Sequence, residues 1–274
     1  MQVRHPGFDF TDVSPIWAEN VDAAHMTNAT GIVPAYIEPF LIKVMRRAKA
    51  ELDPVEHADL IRDIDIFNKQ EAQHFKFHAA LNTWVRENGY EGMTEHERSY
   101  EAEYDEMLRT RSLRWLVAYC EGFEAMGLAT AQRFVDGDFE ADLGKADPRV
   151  VALWKWHLAE EYEHRNVVYQ VLKTLYGRNP VSFYALRISG FFNASRHIGA
   201  NVSRLQRYLV KTYRDREGIP APEKAKPSLA QLGQLRQLRQ LRQLKGILSV
   251  LSPTYDPAHK PRPAHLDEVL ATYT

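Results

Sequence analysis

At 274 residues, 45% apolar, 26% charged and net −1, the chain is long enough for a sizeable core and is neither collagen-like, low-complexity nor strongly polyionic. The single Cys120 excludes an internal disulfide, and no run approaches the ~20 apolar residues of a spanning helix. The opening MQVRHPGFDFTDVSP lacks the apolar centre of a secretory signal, so a soluble protein of the cytoplasm is expected.

After an extended, aromatic-rich start, VPAYIEPFLIKVMRRAKAEL (33–52) has helical periodicity and stops at Asp53-Pro54. Pro39 follows Glu38 directly and is expected to kink this helix unless it falls in the first turn. Residues 56–90 predict a long second helix, with Ile61, Ile64, Phe67, Phe75 and Leu81 among its apolar positions and Gly89 at its end. Residues 95–137 read as a third helix, in one or two segments. Residues 147–177 read as a fourth, with Asp147 as N-cap, Pro148 at the first helical position and Gly177 past the end. No strand alternation appears. The expected fold is all-α: an antiparallel four-helix bundle over residues 1–178, with additional C-terminal helices.

The character changes beyond Pro180. Residues 178–262 hold 16 Lys and Arg against 4 Asp and Glu, a surplus of 12 that leaves the remainder at −13. Residues 181–218 predict a basic amphipathic helix, interrupted or softened at Gly190 and Gly199. A linker, IPAPEKAKPS, leads to leucines at 229, 232, 235, 238, 241 and 244. A period of three drifts by ~60° per repeat around a helix, so these leucines form no straight coiled-coil seam. Residues 179–274 are therefore expected as a basic helical extension that packs on the bundle, meets a second copy, or touches a membrane surface peripherally. No nucleic-acid-binding motif accompanies the charge.

The chemistry lies in the acidic part. Glu-x-x-His occurs at Glu71–His74 on the second helix and at Glu161–His164 on the fourth. Each preceding helix offers a carboxylate among apolar neighbours: Glu38 in AYIEPFL and Glu121 in VAYCEGFEAMGL. The order Glu, Glu-x-x-His, Glu, Glu-x-x-His is the ligand pattern of ferritin-like dinuclear carboxylate sites. Buried carboxylates repel one another and are costly to desolvate, and two divalent cations cancel that charge. A mixed nitrogen and oxygen donor set suits iron or manganese. His157 lies four residues before Glu161 and can reach the same metal as the fourth-helix pair, as a seventh ligand; packing beside Trp154 and Trp156 is its alternative role. His78, four after His74, is read as a support behind the ligands. Glu124, three after Glu121, can replace it as ligand or relay protons as a catalytic group, and Glu160 can displace Glu161 if the helix is rotated.

The segments FNKQEAQHFKFHAALN and LWKWHLAEEYEHRNVVYQV resemble the two signature segments of the bacterial family labelled predicted metal-dependent hydrolases, within the wider ferritin-like group. The likeness spans roughly residues 34–177, and more loosely the tail LSPTYDPAHKPRPAHL. This chain reads EGFEA where relatives are expected to carry Glu-His-Phe-Thr-Ala. Glu124 replaces that Thr and leaves the third-helix ligand open. His157, Glu161 and His164 also match the His-x-x-x-Glu-x-x-His arrangement of the dinuclear iron p-aminobenzoate N-oxygenases, in ligand spacing alone. These resemblances imply two iron ions, or a manganese–iron pair. The implied activity is oxidation of a small organic substrate by dioxygen, with electrons from a donor or from the substrate. Metal-dependent hydrolysis is the alternative. Iron storage or metal sensing is a third class, in which the basic C-terminal part has no obvious place.

Overall fold

The computed structural model describes residues 1–220, 246 and 248–273. Among these residues the protein is an all-α helical bundle, without strands apart from an isolated antiparallel bridge between Ala18 and Ala146. In chain order the helices are α1 (Val21–Thr30), α2 (Ile32–Lys49), α3 (Ala58–Glu87), α4 (Met93–Thr110), α5 (Leu113–Val135), the single turn α6 (Glu140–Leu143), α7 (Pro148–His164), α8 (Val167–Tyr176), α9 (Pro180–Glu217) and the short α10 (Leu266–Ala271). The leucine repeat at 229–244 lies outside the described residues.

Local chemistry sets several boundaries. Asp147 caps α7 by accepting from the Arg149 N–H, with Pro148 at the first helical position, as the sequence predicts. Ser112 caps α5 in the same way through the Trp115 N–H. The third sequence segment is thus two helices, because the Ser112 cap restarts the chain after α4. Pro39 lies well inside α2, where it removes the N–H that would reach the Ala35 carbonyl. α1 has no counterpart in the sequence reading. Its buried face holds Ala24, His25, Thr27, Asn28 and Ala29, a set too polar and small to show as an apolar stripe.

Helices α2, α3, α5 and α7 surround one core whose largest members include Phe40, Phe67, Tyr119 and Trp156. The long α9 runs unbroken past Gly190 and Gly199, contrary to the expected interruption. It lies along α5 and adds Ala194, Ile198, Leu205 and Leu209 to the same core. Gly190 permits this approach: a Cβ there would stand 2.0 Å from the Ala118 carbonyl oxygen. Gly199 faces open space. The first residues cross the outside of α7. There Phe8 meets Phe77, Trp156 and Tyr273, and α10 packs against the same helix. No helix among the described residues is long and apolar enough to cross a membrane.

Candidate metal centre

Two groups of metal-ligating side chains adjoin in the middle of the bundle. Glu38, His74, His157 and Glu161 form one, Glu71, Glu124, Glu161 and His164 the other, and within each the donor atoms lie within 4.8 Å of one another. All are buried, and Glu124 is the most exposed at 5%. α2 contributes Glu38, α3 contributes Glu71 and His74, α5 contributes Glu124, and α7 contributes His157, Glu161 and His164. The i, i+3 spacing in α3 and the i, i+4, i+7 spacing in α7 put each set on one helix face.

Glu161 joins the two groups. Its Oε1 is 3.0 Å from His157 Nε2, and its Oε2 is 3.5 Å from His164 Nε2. Glu71 Oε1 also lies between them, 3.2 Å from His164 Nε2 and 3.7 Å from His74 Nδ1. His157 shares its group with His74 and Glu38, not with His164. Seven residues of helix advance about 10 Å, so the two imidazoles of α7 stand at opposite ends of the centre with Glu161 between.

Each imidazole turns one nitrogen inward and has a partner on the other. Glu160 Oε2 is 3.0 Å from His74 Nε2, Gln70 Oε1 is 3.3 Å from His164 Nδ1, and His78 Nε2 is 2.8 Å from His157 Nδ1. His78 therefore stands behind His157, as the sequence reading has it. Glu160 stands behind His74 and leaves Glu161 in the centre. Aromatic rings fill the remaining space: Phe67 meets His164 and Trp156 meets His74 edge-on, while Trp154 stacks on His157.

Glu121 is not brought into either group. Its Oε1 accepts from Arg187 Nε of α9 at 3.1 Å, with both side chains 2% exposed. Arg187 also bonds the Val250 carbonyl and lies over the ring of Tyr255. Residues three apart on a helix differ by about 60° in direction. Once Gly190 seats α9 against one side of α5, Glu121 faces the arginine and Glu124 faces the centre. Sequence reasoning also missed Arg4, Gln70 and Glu163, which stand outside the imidazoles of α3 and α7. Gln70, next to Glu71, and Glu163, next to His164, carry a local signal, whereas Arg4 carries none.

The donor set fits cations. Both oxygens of Glu38 and of Glu71, Oε1 of Glu124, Oε2 of Glu161, Nδ1 of His74 and Nε2 of His164 are buried without a hydrogen-bond partner. Leaving one such group unsatisfied costs about 1–3 kcal/mol, and more when it is charged. Burial, followed by the neighbouring carboxylates, pushes Glu38 and Glu124 well above the usual carboxylate range. Burial, then His74, holds His157 down to about 4, so its ring is neutral at pH 7 and can donate a lone pair.

The fold and this centre define a helical-bundle protein with adjoining buried His/Glu groups able to hold metal ions. A family model described as predicted metal-dependent hydrolase matches residues 2–260. The chain belongs to that family. No curated protein and no solved structure matches it.

Proposed function

We propose that the chain is a dinuclear metal-dependent hydrolase acting on a small organic substrate. One observation carries the two-metal reading: Glu161 turns one oxygen to each of the two adjoining groups. Glu38, His74, His157 and Glu161 would hold one divalent cation, and Glu71, Glu124, Glu161 and His164 the other. Four carboxylates then balance two dications in a site that water does not screen. Bound there, the cations would supply Lewis acidity and lower the pKa of a coordinated water. The chain's own contribution is orientation and exclusion of solvent. Glu160, Gln70 and His78 fix the rings, and Phe67, Trp154 and Trp156 keep the centre dry. Glu124 is the most exposed of these four carboxylates.

The family description supports hydrolysis over the oxidative reading drawn from ligand spacing. The donor set itself keeps oxygen chemistry as a second reading, since three imidazoles and four carboxylates suit an iron or manganese–iron pair. That reading requires dioxygen and an electron donor. We place either activity in the cytoplasm, with the basic helix α9 as the surface for a second copy or an anionic membrane.

The test is to load the metal-free chain anaerobically with Zn(II) or Mn(II), count metal per chain, and screen ester, amide and phosphate substrates. Two metals and oxygen-independent turnover, lost in Glu161→Gln, are expected. If redox-silent metals bind but give no turnover, while Fe(II) protein consumes oxygen stoichiometrically, the oxidative reading replaces this one. Background metal only would end both.

A further inference from the structure

Two of the three outward imidazole contacts lead to one residue. Arg4 Nη1 donates to Glu160 Oε1 at 2.9 Å, and Glu160 uses its other oxygen for His74 Nε2. Arg4 also grips Glu163 at both oxygens, at 3.0 and 3.2 Å. Glu163 Oε2 accepts from Gln70 Nε2 at 2.7 Å, and Gln70 Oε1 faces His164 Nδ1. The carbonyls of Gln2 and Leu270 also accept from Arg4, from Nη1 and Nε. Arg4 is 6% exposed, although it belongs to the irregular segment before α1.

The donor and acceptor logic orients two rings. Gln70 Nε2 faces only acceptors, Glu163 Oε2 and the Gln2 carbonyl, so its amide oxygen must face His164. His164 Nδ1 then carries the proton, and its Nε2 lone pair points into the centre. Glu160 accepts from Arg4 at Oε1 and meets His74 Nε2 at Oε2, which leaves His74 Nδ1 turned to the centre without another hydrogen-bond partner. The third ring, His157, is held by His78 without Arg4.

Resting on the two-metal reading, we propose that Arg4 is a positioning residue for both metal positions, bracing His74 through Glu160 and His164 through Glu163 and Gln70. Only a planar fork of five N–H donors serves both carboxylates and both carbonyls at once. A lysine reaching the same place keeps the charge and the tether but offers three donors at a single point.

The test uses the full chain with Co(II) as probe. In wild type, two Co(II) should bind, and three exchangeable, paramagnetically shifted imidazole N–H resonances should appear. In Arg4→Lys and Arg4→Met we expect Co(II) affinity about tenfold weaker at both positions, the low end for loss of an outer contact. The His74 and His164 N–H resonances should broaden by solvent exchange while that of His157 persists. Glu160→Gln should broaden His74 alone. If Arg4→Met disturbs the helical circular dichroism, Arg4→Lys decides. Wild-type affinity and all three sharp resonances in Arg4→Lys would show Arg4 to be only a tether and overturn the proposal. Absence of Co(II) binding by wild type would instead overturn the two-metal reading on which it rests.

Discussion

The pair Glu121–Arg187 offers a sharp test, because sequence pattern makes Glu121 a ligand and geometry makes it an anchor for α9. At 3.1 Å the two charges attract by about 5 kcal/mol at an effective dielectric of 20. Several kcal/mol of desolvation per ion offsets that attraction, so the intact pair adds little net stability. Removing one partner leaves the other charge buried at 2% exposure, at a cost of about 3–5 kcal/mol. Arg187→Met should therefore destabilise the metal-free protein by that amount in urea unfolding, read at constant m-value. The double variant Glu121→Gln/Arg187→Met should regain most of the loss, giving a coupling energy well above the additivity error of about 0.5 kcal/mol. Glu121→Gln should still bind as much metal as wild type, since Glu124 occupies the centre. Loss of a metal equivalent in Glu121→Gln, or simple additivity in the cycle, would refute the reasoning.

Glu124→Ala, by contrast, should bind one metal less per chain by elemental analysis, with helicity unchanged. Gly190→Ala should lower the melting temperature, since overpacking against Ala118 costs about 1–3 kcal/mol and outweighs the ~1 kcal/mol gain in helix propensity. Gly199→Ala, with no atom within 4 Å of the added Cβ, should raise it by the propensity term alone. Metal binding should release protons, because burial and the neighbouring carboxylates raise Glu38 and Glu124, and bound cations would favour their ionised forms. Apparent affinity should accordingly rise with pH. Calorimetry in buffers of differing ionisation enthalpy would show this, and buffer-independent heats would contradict it.

The paired Glu-x-x-His motifs were legible because an i, i+3 pair must share a helix face wherever the helix goes. Glu38 was legible from its apolar neighbours. The choice between Glu121 and Glu124 was not, since it depends on which side of α5 receives α9, and that is set by Gly190, far along the chain. The sequence marks Gly190 as a weak point in a helix; in the fold it is where α9 closes on Ala118 of α5. The group that His157 joins was likewise hidden, because two turns of helix separate its ring from that of His164 and place it beside Glu38 and His74. Arg4 gives no local signal at all: its partners lie on α7 and near the other end of the chain.

That last contact bears on the order of assembly. The hydrogen bond from Arg4 to the Leu270 carbonyl joins residues 266 apart. In an unfolded chain, closing such a loop carries about 5 kcal/mol of length-dependent entropy. It therefore forms at little cost only after the intervening helices have folded and brought its ends together. During vectorial synthesis the bundle helices, and all seven inward side chains, precede the residue that completes the arginine's hydrogen bonds. The arginine can thus reach Glu160 and Glu163 before its bond to Leu270 exists, and that bond closes the first residues against the last helix only once the bundle stands.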